Sequence, residues 1–163
     1  MKFAAIKTKI LFVCLGNICR SPLAEGIFND IVNKNNTSNL YETDSAGTSD
    51  FHCGELPDPR TLKNAMKNGL TLTHKCRQFK KSDFYEFDHI IAMDDSNLKD
   101  IIKLKPADET RAKIIKMRFY DPLNKNANVP DPWFGGEKGF EEVYQILKRC
   151  CLNFYKALEM KET

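Results

Sequence analysis

Apolar and polar positions fall along the chain in blocks that predict strands interleaved with helices. Ile10 to Val13 are four consecutive apolar residues, the pattern of a parallel strand covered on both faces. After a short loop, Ser21 and Pro22 form an N-cap and first-position pair, so a helix is expected to start there. Leu23, Ala24, Ile27, Phe28 and Ile31 mark its apolar face, and the polar run from Asn33 to Asn39 ends it. Tyr41 to Ala46 reads as a second strand, polar enough for a sheet edge. Asp58 and Pro59 begin another helix, striped by Leu62, Ala65 and Met66 and stopped by Gly69. Ile90–Met93 and Ile114–Met117 read as third and fourth strands, with a helix near Asp95 to Lys103 between them. Phe140, Val143, Leu147, Cys150 or Cys151, Phe154 and Leu158 form one long terminal helical stripe, in which the paired cysteines read as core packing. Such alternation predicts an α/β fold: a doubly wound sheet of four parallel strands in three layers, with helices on both faces.

Composition narrows the class. The 163 residues fit a single domain over 1–163, large enough for a hydrophobic core, with residues 1–8 as a loose lead-in. No apolar run reaches membrane-spanning length and no secretory leader is evident, so no membrane association and a cytoplasmic location are expected. A net charge of +3 without an aromatic-interleaved basic stretch gives no case for nucleic-acid binding. The six cysteines read as reduced thiols, since Cys150 and Cys151 are adjacent and Cys14 and Cys19 share a loop. Their spacing does not match zinc ligation, and neither metal nor cofactor is expected.

Candidate chemistry concentrates in Cys14-Leu15-Gly16-Asn17-Ile18-Cys19-Arg20-Ser21. A loop from the end of a buried strand to the start of a capped helix turns its backbone N–H groups toward the positive end of that helix. That arrangement makes an anion site. Arg20 adds a planar fork matched to two phosphate oxygens. Gly16 and Asn17 tolerate tight or left-handed backbone. Cys14 beneath the cage meets positive surroundings that favour thiolate over thiol, which makes it a nucleophile aimed at phosphorus. No Gly-Lys-Ser/Thr closes the turn, so a Walker-type loop is excluded.

Phosphate-ester cleavage also needs an acid for the departing oxygen. Asp58-Pro59, Asp121-Pro122 and Asp131-Pro132 compete for this role. Helix capping accounts for Asp58 and turn formation for Asp121, while Asp131 stands beside Trp133 and Phe134; the residues alone favour Asp131 only slightly. Trp133 and Phe134, among prolines and before Gly135-Gly136, read as an exposed loop and a substrate wall.

The loop signature, followed by Pro22-Leu23-Ala24-Glu25, resembles that of the low molecular weight protein tyrosine phosphatases. The resemblance continues through Asp44-Ser45-Ala46-Gly47-Thr48, Pro57-Asp58-Pro59-Arg60, Ala92-Met93-Asp94 and Asp131-Pro132-Trp133. It implies strand order 2-1-3-4, and a metal-free double displacement in which Cys14 attacks, Arg20 and the backbone of Leu15 to Cys19 hold phosphate, and Asp131 is the acid. It implies that Asn17, Ser21, Ser45 and His74 support the loop, with Ser21 both capping the helix and hydrogen-bonding the Cys14 sulfur. Phe51 stands where the family carries an aromatic facing the Trp133 wall. Cys19 stands where the family carries a cysteine that traps oxidised Cys14 as a disulfide. Phosphotyrosine proteins or peptides are the implied partners, with phosphate and other oxyanions as inhibitors. Three alternatives share the scaffold. An arsenate reductase needs a cysteine relay, but the chain has no cysteine between Arg77 and Asn97 and Cys76 stands alone. Phosphoarginine phosphatases carry a threonine where Ile18 stands. A non-catalytic phosphotyrosine-binding module is at odds with the presence of Cys14, Arg20 and Asp131.

Overall fold

The computed structural model describes residues 6–161. Strands β1 (Thr8–Cys14), β2 (Tyr41–Gly47), β3 (His89–Ala92) and β4 (Lys113–Lys116) form one parallel sheet in the order β2-β1-β3-β4. The family-implied order therefore holds, and β2 is an edge strand as its polarity indicated. Five helices accompany the sheet: α1 (Arg20–Lys34), α2 (Pro59–Lys67), α3 (Asp83–Glu86), α4 (Asp95–Leu104) and α5 (Gly136–Lys161). Of the lead-in expected over residues 1–8, residues 1–5 lie outside the described residues.

Side-chain alternation along β1 builds two cores. Ile10, Phe12 and Cys14 enter one shared with Leu23 and Phe28 of α1 and Leu147 and Phe154 of α5. Leu11 and Val13 enter the other, with Phe84 of α3 and Ile101 of α4. Because both faces are covered, the strand must be apolar at every position. Phe28 centres the first core, its ring 5.5 Å from Tyr41 and 5.7 Å from Phe154. Edge-on and tilted pairs of this kind add about 0.5–1.5 kcal/mol each beyond area burial.

The helical details correct the sequence reading in three places. First, α1 starts at Arg20 with Cys19 at the N-cap position and no side-chain cap, so Ser21 does not cap it; its hydroxyl is engaged elsewhere. Second, α2 does start from Asp58, whose carboxylate accepts from Arg60 N–H at 2.8 Å. Its buried face, however, is Thr61, Asn64 and Ala65, and Met66 is 76% exposed. Third, α3 and a 3-10 turn over Met117–Tyr120 were not foreseen; each is four residues, too short for a periodic stripe.

Asp121, at the end of that turn, has a structural role. Its fully buried carboxylate accepts from Arg118 Nε at 2.8 Å, Arg149 Nε at 2.9 Å and Leu123 N–H at 2.9 Å. Burial opposes its ionisation, but the bonds from Arg149, Leu123 and Arg118 prevail and hold the carboxyl far below the usual carboxylate range. A carboxyl so depressed contributes stability above its unfolded pKa, and that contribution is lost as pH falls through the folded value. Asp121→Asn is expected to cost about 3–5 kcal/mol at neutral pH, as for a broken buried pair. The gap from wild type should narrow in strong acid. Urea unfolding across pH checks both, and equal stability at neutral pH would refute the role.

Candidate active site

The loop from Leu15 to Cys19 leaves the carboxyl end of β1, where the chain diverges to β2 on one side and β3 on the other. Ligands bind at such switch points. Gly47, opposite Cys14 in the ladder, leaves room for it: a Cβ there would lie 2.7 Å from the Leu15 carbonyl oxygen. The N–H groups of Leu15, Gly16, Ile18 and Cys19 bond to none of the described residues. Donors without protein partners at the head of α1 are what an oxyanion site is made of.

Asn17 holds this shape. Its backbone is left-handed, with φ of 55°. Its Nδ2 donates to Ser21 Oγ at 2.8 Å and Ser45 Oγ at 3.0 Å, while Oδ1 accepts from His74 Nε2 at 2.8 Å and Arg77 N–H at 3.0 Å. The four loop supports expected from the sequence thus meet around one amide. Asn17 N–H also lies 3.3 Å from Cys14 Sγ, and Ser21 Oγ 3.0 Å from it. Ser21 Oγ accepts from Asn17, and its one proton has two acceptors within reach, Cys14 Sγ at 3.0 Å and the Ala46 carbonyl at 3.4 Å, of which the sulfur is the nearer. The Asn17 N–H and the Ser21 hydroxyl thus both border Sγ.

Arg20 is buried. Its NH1 donates to Asp94 Oδ2 at 2.6 Å and to the Val129 carbonyl at 3.1 Å, while NH2 lies 3.7 Å from Asp131 Oδ2. Asp94 also caps α4 by accepting from Asn97 N–H at 2.8 Å. Asp131 is half-exposed, and its Oδ1 accepts from Trp133 N–H at 3.1 Å. Of the three Asp-Pro pairs among the described residues, Asp131 is the one in the pocket with Cys14. The Asp58 carboxyl is lowered chiefly by Arg60, against the opposing effect of burial.

That pocket has a volume of about 250 Å³. Cys14, Ile18 and Arg20 lie in it with Phe51, Trp133 and Phe134. Phe51 and Phe134 are almost fully exposed at its rim, and the ring paired with Trp133 is His52, at 6.4 Å. Arg60 anchors the wall from behind: its guanidinium lies 4.9 Å from the Trp133 ring centre and 4.8 Å from that of Phe140, and NH1 donates to the Trp133 carbonyl at 2.8 Å.

Behind the loop, His74 Nδ1 lies 3.5 Å from Glu25 and 3.4 Å from Asp44. Burial pushes the Glu25 carboxyl up to about 7 and the His74 imidazole down. These three residues bring ligand-type atoms within 4.8 Å of one another. Ser45 already donates to Glu25 at 2.7 Å and Arg77 to Asp44 at 2.8 Å, so the cluster reads as a charged brace. Cys19 is buried in the same pocket, and burial pushes its thiol up to about 12.

A thiol at the end of the central strand, flanked by loop amides without partners among the described residues and by a buried arginine, defines an oxyanion-binding α/β protein. The chain belongs to the low molecular weight phosphotyrosine protein phosphatase family, which matches residues 9–163. It is 43% identical over 150 residues to the low molecular weight phosphotyrosine protein phosphatase of Sus scrofa, covering 91% of this chain and 94% of that one. The crystal structure of a protein tyrosine phosphatase from Entamoeba histolytica with Hepes in the active site superposes with a TM-score of 0.90 at 39% identity, covering 96% of this chain and all of that one. A Drosophila arginine phosphatase superposes at 0.85 with 34% identity, covering 93% and 98%.

Sequence reasoning missed Asp94, Arg60, Arg77, Glu25 and His52 as parts of the site. Asp94 carried the one usable signal: an N-cap aspartate directly after a strand, hence at the same sheet edge as the loop.

Asn17→Ala removes four side-chain hydrogen bonds and places a Cβ-bearing residue in left-handed backbone without local compensation. The expected loss is about 3 kcal/mol or more, at roughly 1 kcal/mol per bond. Asn17→Gly should recover about 1 kcal/mol of it by relieving the backbone alone. Equilibrium urea unfolding of the pair separates the two effects, and a glycine variant no better than alanine would refute the strain component.

Proposed function

We propose that the chain hydrolyses phosphotyrosine in proteins or peptides through a cysteinyl-phosphate intermediate. The observation that carries this reading is the Cys14 sulfur, bordered by the Asn17 N–H and the Ser21 hydroxyl, beside loop amides that have no partner among the described residues. The phosphoryl group enters with its equatorial oxygens on those amides and on the Arg20 guanidinium, whose NH1 is fixed by Asp94. Cys14 attacks phosphorus in line as Asp131 gives a proton to the departing phenolic oxygen. Water, deprotonated by the now ionised Asp131, then attacks phosphorus and releases the sulfur. The positive charge that the transferring group needs comes from Arg20, the loop amides and the N-terminus of α1, positioned before substrate arrives.

The slot between Trp133 and the turn bearing Phe51 and His52 suits a flat ring. Ile18, buried at its base, supplies an apolar surface better matched to phenyl than to guanidinium. The arginine phosphatase among the structural relatives makes phosphoarginine the second substrate to test. Phosphate and other oxyanions are expected to compete for the loop, and the reaction fits a cytoplasmic setting in which thiols stay reduced.

Cys14→Ser should abolish turnover yet still bind phosphate, whereas Arg20→Ala should lose both. Turnover in a clean Cys14→Ser preparation would overturn the nucleophile assignment. Asp131→Ala is expected to lower kcat for phosphotyrosine by about 10²–10⁴-fold, the usual weight of a general acid. The loss should shrink for aryl esters with acidic leaving groups. Equal losses across leaving groups would remove Asp131 from the role. Asp94→Asn keeps a good capping side chain while removing the charge that holds Arg20. It should weaken phosphate binding about tenfold or more, the value of one charge-assisted bond, and lower stability in urea by about 3 kcal/mol, since Arg20 is left buried without its nearest counter-charge. After peroxide treatment, reductant should restore wild type more fully than Cys19→Ser; equal recovery would deny Cys19 a protective part.

A further inference from the structure

Two cysteines outside the chemistry described above stand on adjoining segments at the edge of the slot. Cys53 is exposed on the turn that carries Phe51 and His52, whereas Cys76 is buried on the segment bracing the loop from below. The two segments are joined by main-chain bonds. Gly54 N–H donates to the Cys76 carbonyl at 2.8 Å, and Cys76 N–H donates to the Glu55 carbonyl at 2.8 Å. The Cys76 thiol donates to the Gly16 carbonyl of the loop at 3.2 Å, and it packs in a small apolar cluster with Ile18, Cys19 and Phe140. The far side of the bracing segment is tied to the sheet, since Gly47 N–H donates to Arg77 O at 2.9 Å and Phe79 N–H to Gly47 O at 2.7 Å. Cys76 is thus held rigidly while Cys53 rides on the turn. Burial pushes the Cys76 thiol up to about 12, and the neighbouring Cys53 adds to the rise.

We propose that Cys53 and Cys76 form a reversible disulfide under peroxide, a modification site separate from the loop thiols, which fastens the wall turn to the brace and slows turnover at the slot. Exposure makes Cys53 the first target. Its sulfur takes an oxygen from hydrogen peroxide, giving a sulfenic acid and one water. The Cys76 sulfur then attacks that of Cys53. The S–S bond forms as the S–O bond breaks, and the Cys76 proton leaves with the departing hydroxide as a second water. Burial keeps peroxide in solution from Cys76, whereas the Cys53 sulfenic acid forms on the adjoining segment, and Cys76 attacks it as its proton passes to the departing hydroxide. Two consequences reach the site. A disulfide sulfur has no proton to give, so the Gly16 carbonyl loses its donor. The turn is also fixed where the His52 ring borders Gly16, at 3.3 Å from where a Cβ on that glycine would stand. The effect on turnover rests on the phosphatase reading; the formation of the bond does not.

The test oxidises the full chain with hydrogen peroxide while saturating inorganic phosphate shields Cys14, then removes phosphate. The expected result is a fall in titratable thiols from six to four, a Cys53–Cys76 linked peptide on non-reducing mass mapping, free Cys14, and a several-fold loss of kcat/KM that dithiothreitol reverses. In Cys76→Ser, Cys53 should advance to sulfinic acid under the same treatment. Cys53→Ser, altered only on an exposed turn, should keep its turnover through the treatment. The pairing is overturned if wild type yields Cys53 sulfinic acid or an intermolecular bridge with Cys76 reduced. Its role at the slot is overturned if the linked protein turns over as fast as the reduced one. Absence of turnover before oxidation would defeat the phosphatase reading alone, leaving the peptide map to judge the disulfide.

Discussion

The site depends on a single side-chain amide. A loop that leaves a central strand and turns its N–H groups inward must do so without regular secondary structure to hold it, and Asn17 supplies the restraint. Its amide reaches α1 through Ser21, β2 through Ser45, and the bracing segment through His74 and the Arg77 backbone. Two of those partners are fixed in turn: Ser45 by Glu25, and Arg77 by Asp44 and the buried Asp83. The loop donors are therefore held by bonds from three elements, and a charge placed against them meets an environment already oriented.

Burying the Arg20 guanidinium is the second constraint. An unpaired buried cation carries a penalty of several kcal/mol. Asp94 removes that penalty without closing the site: it binds NH1 and leaves NH2 on the side where Asp131 stands, 3.7 Å away. The same aspartate caps α4, so the helix and the arginine are positioned by one carboxylate. Asp121 shows the contrast. Two arginines and a backbone N–H saturate it, and a carboxylate so strongly held has no proton to give near neutral pH. Chemically similar Asp-Pro pairs thus diverge through their surroundings.

Much of the fold was legible because the preferences that shape it are local and periodic. The unbroken apolar run in β1 could only suit a strand buried on both faces, and Asp58-Pro59 could only start a helix. The loop was legible for the same reason, since strand, loop and helix start are contiguous in sequence. What failed to show lies off the periodic pattern. Met66 stands on the stripe that a simple apolar count assigns to α2, yet the residues that the helix buries are Thr61, Asn64 and Ala65. Ser21 looks like a cap from its place before Pro22, but its hydroxyl is drawn away by Asn17 and Cys14.

By itself the sequence determined the parallel α/β architecture, the anion loop with Cys14 and Arg20 at its ends, and three candidate acids. These follow from hydrogen-bonding geometry and burial over a few neighbouring residues. The family resemblance singled out Asp131 among the three, and the structure places it in the pocket; tertiary structure alone decided that Asp94 holds Arg20, that Arg60 backs Trp133, and that the segments bearing Cys53 and Cys76 adjoin. Each of those contacts joins segments that are remote in sequence. Which ones meet depends on how whole layers pack, and no local preference of the chain encodes that.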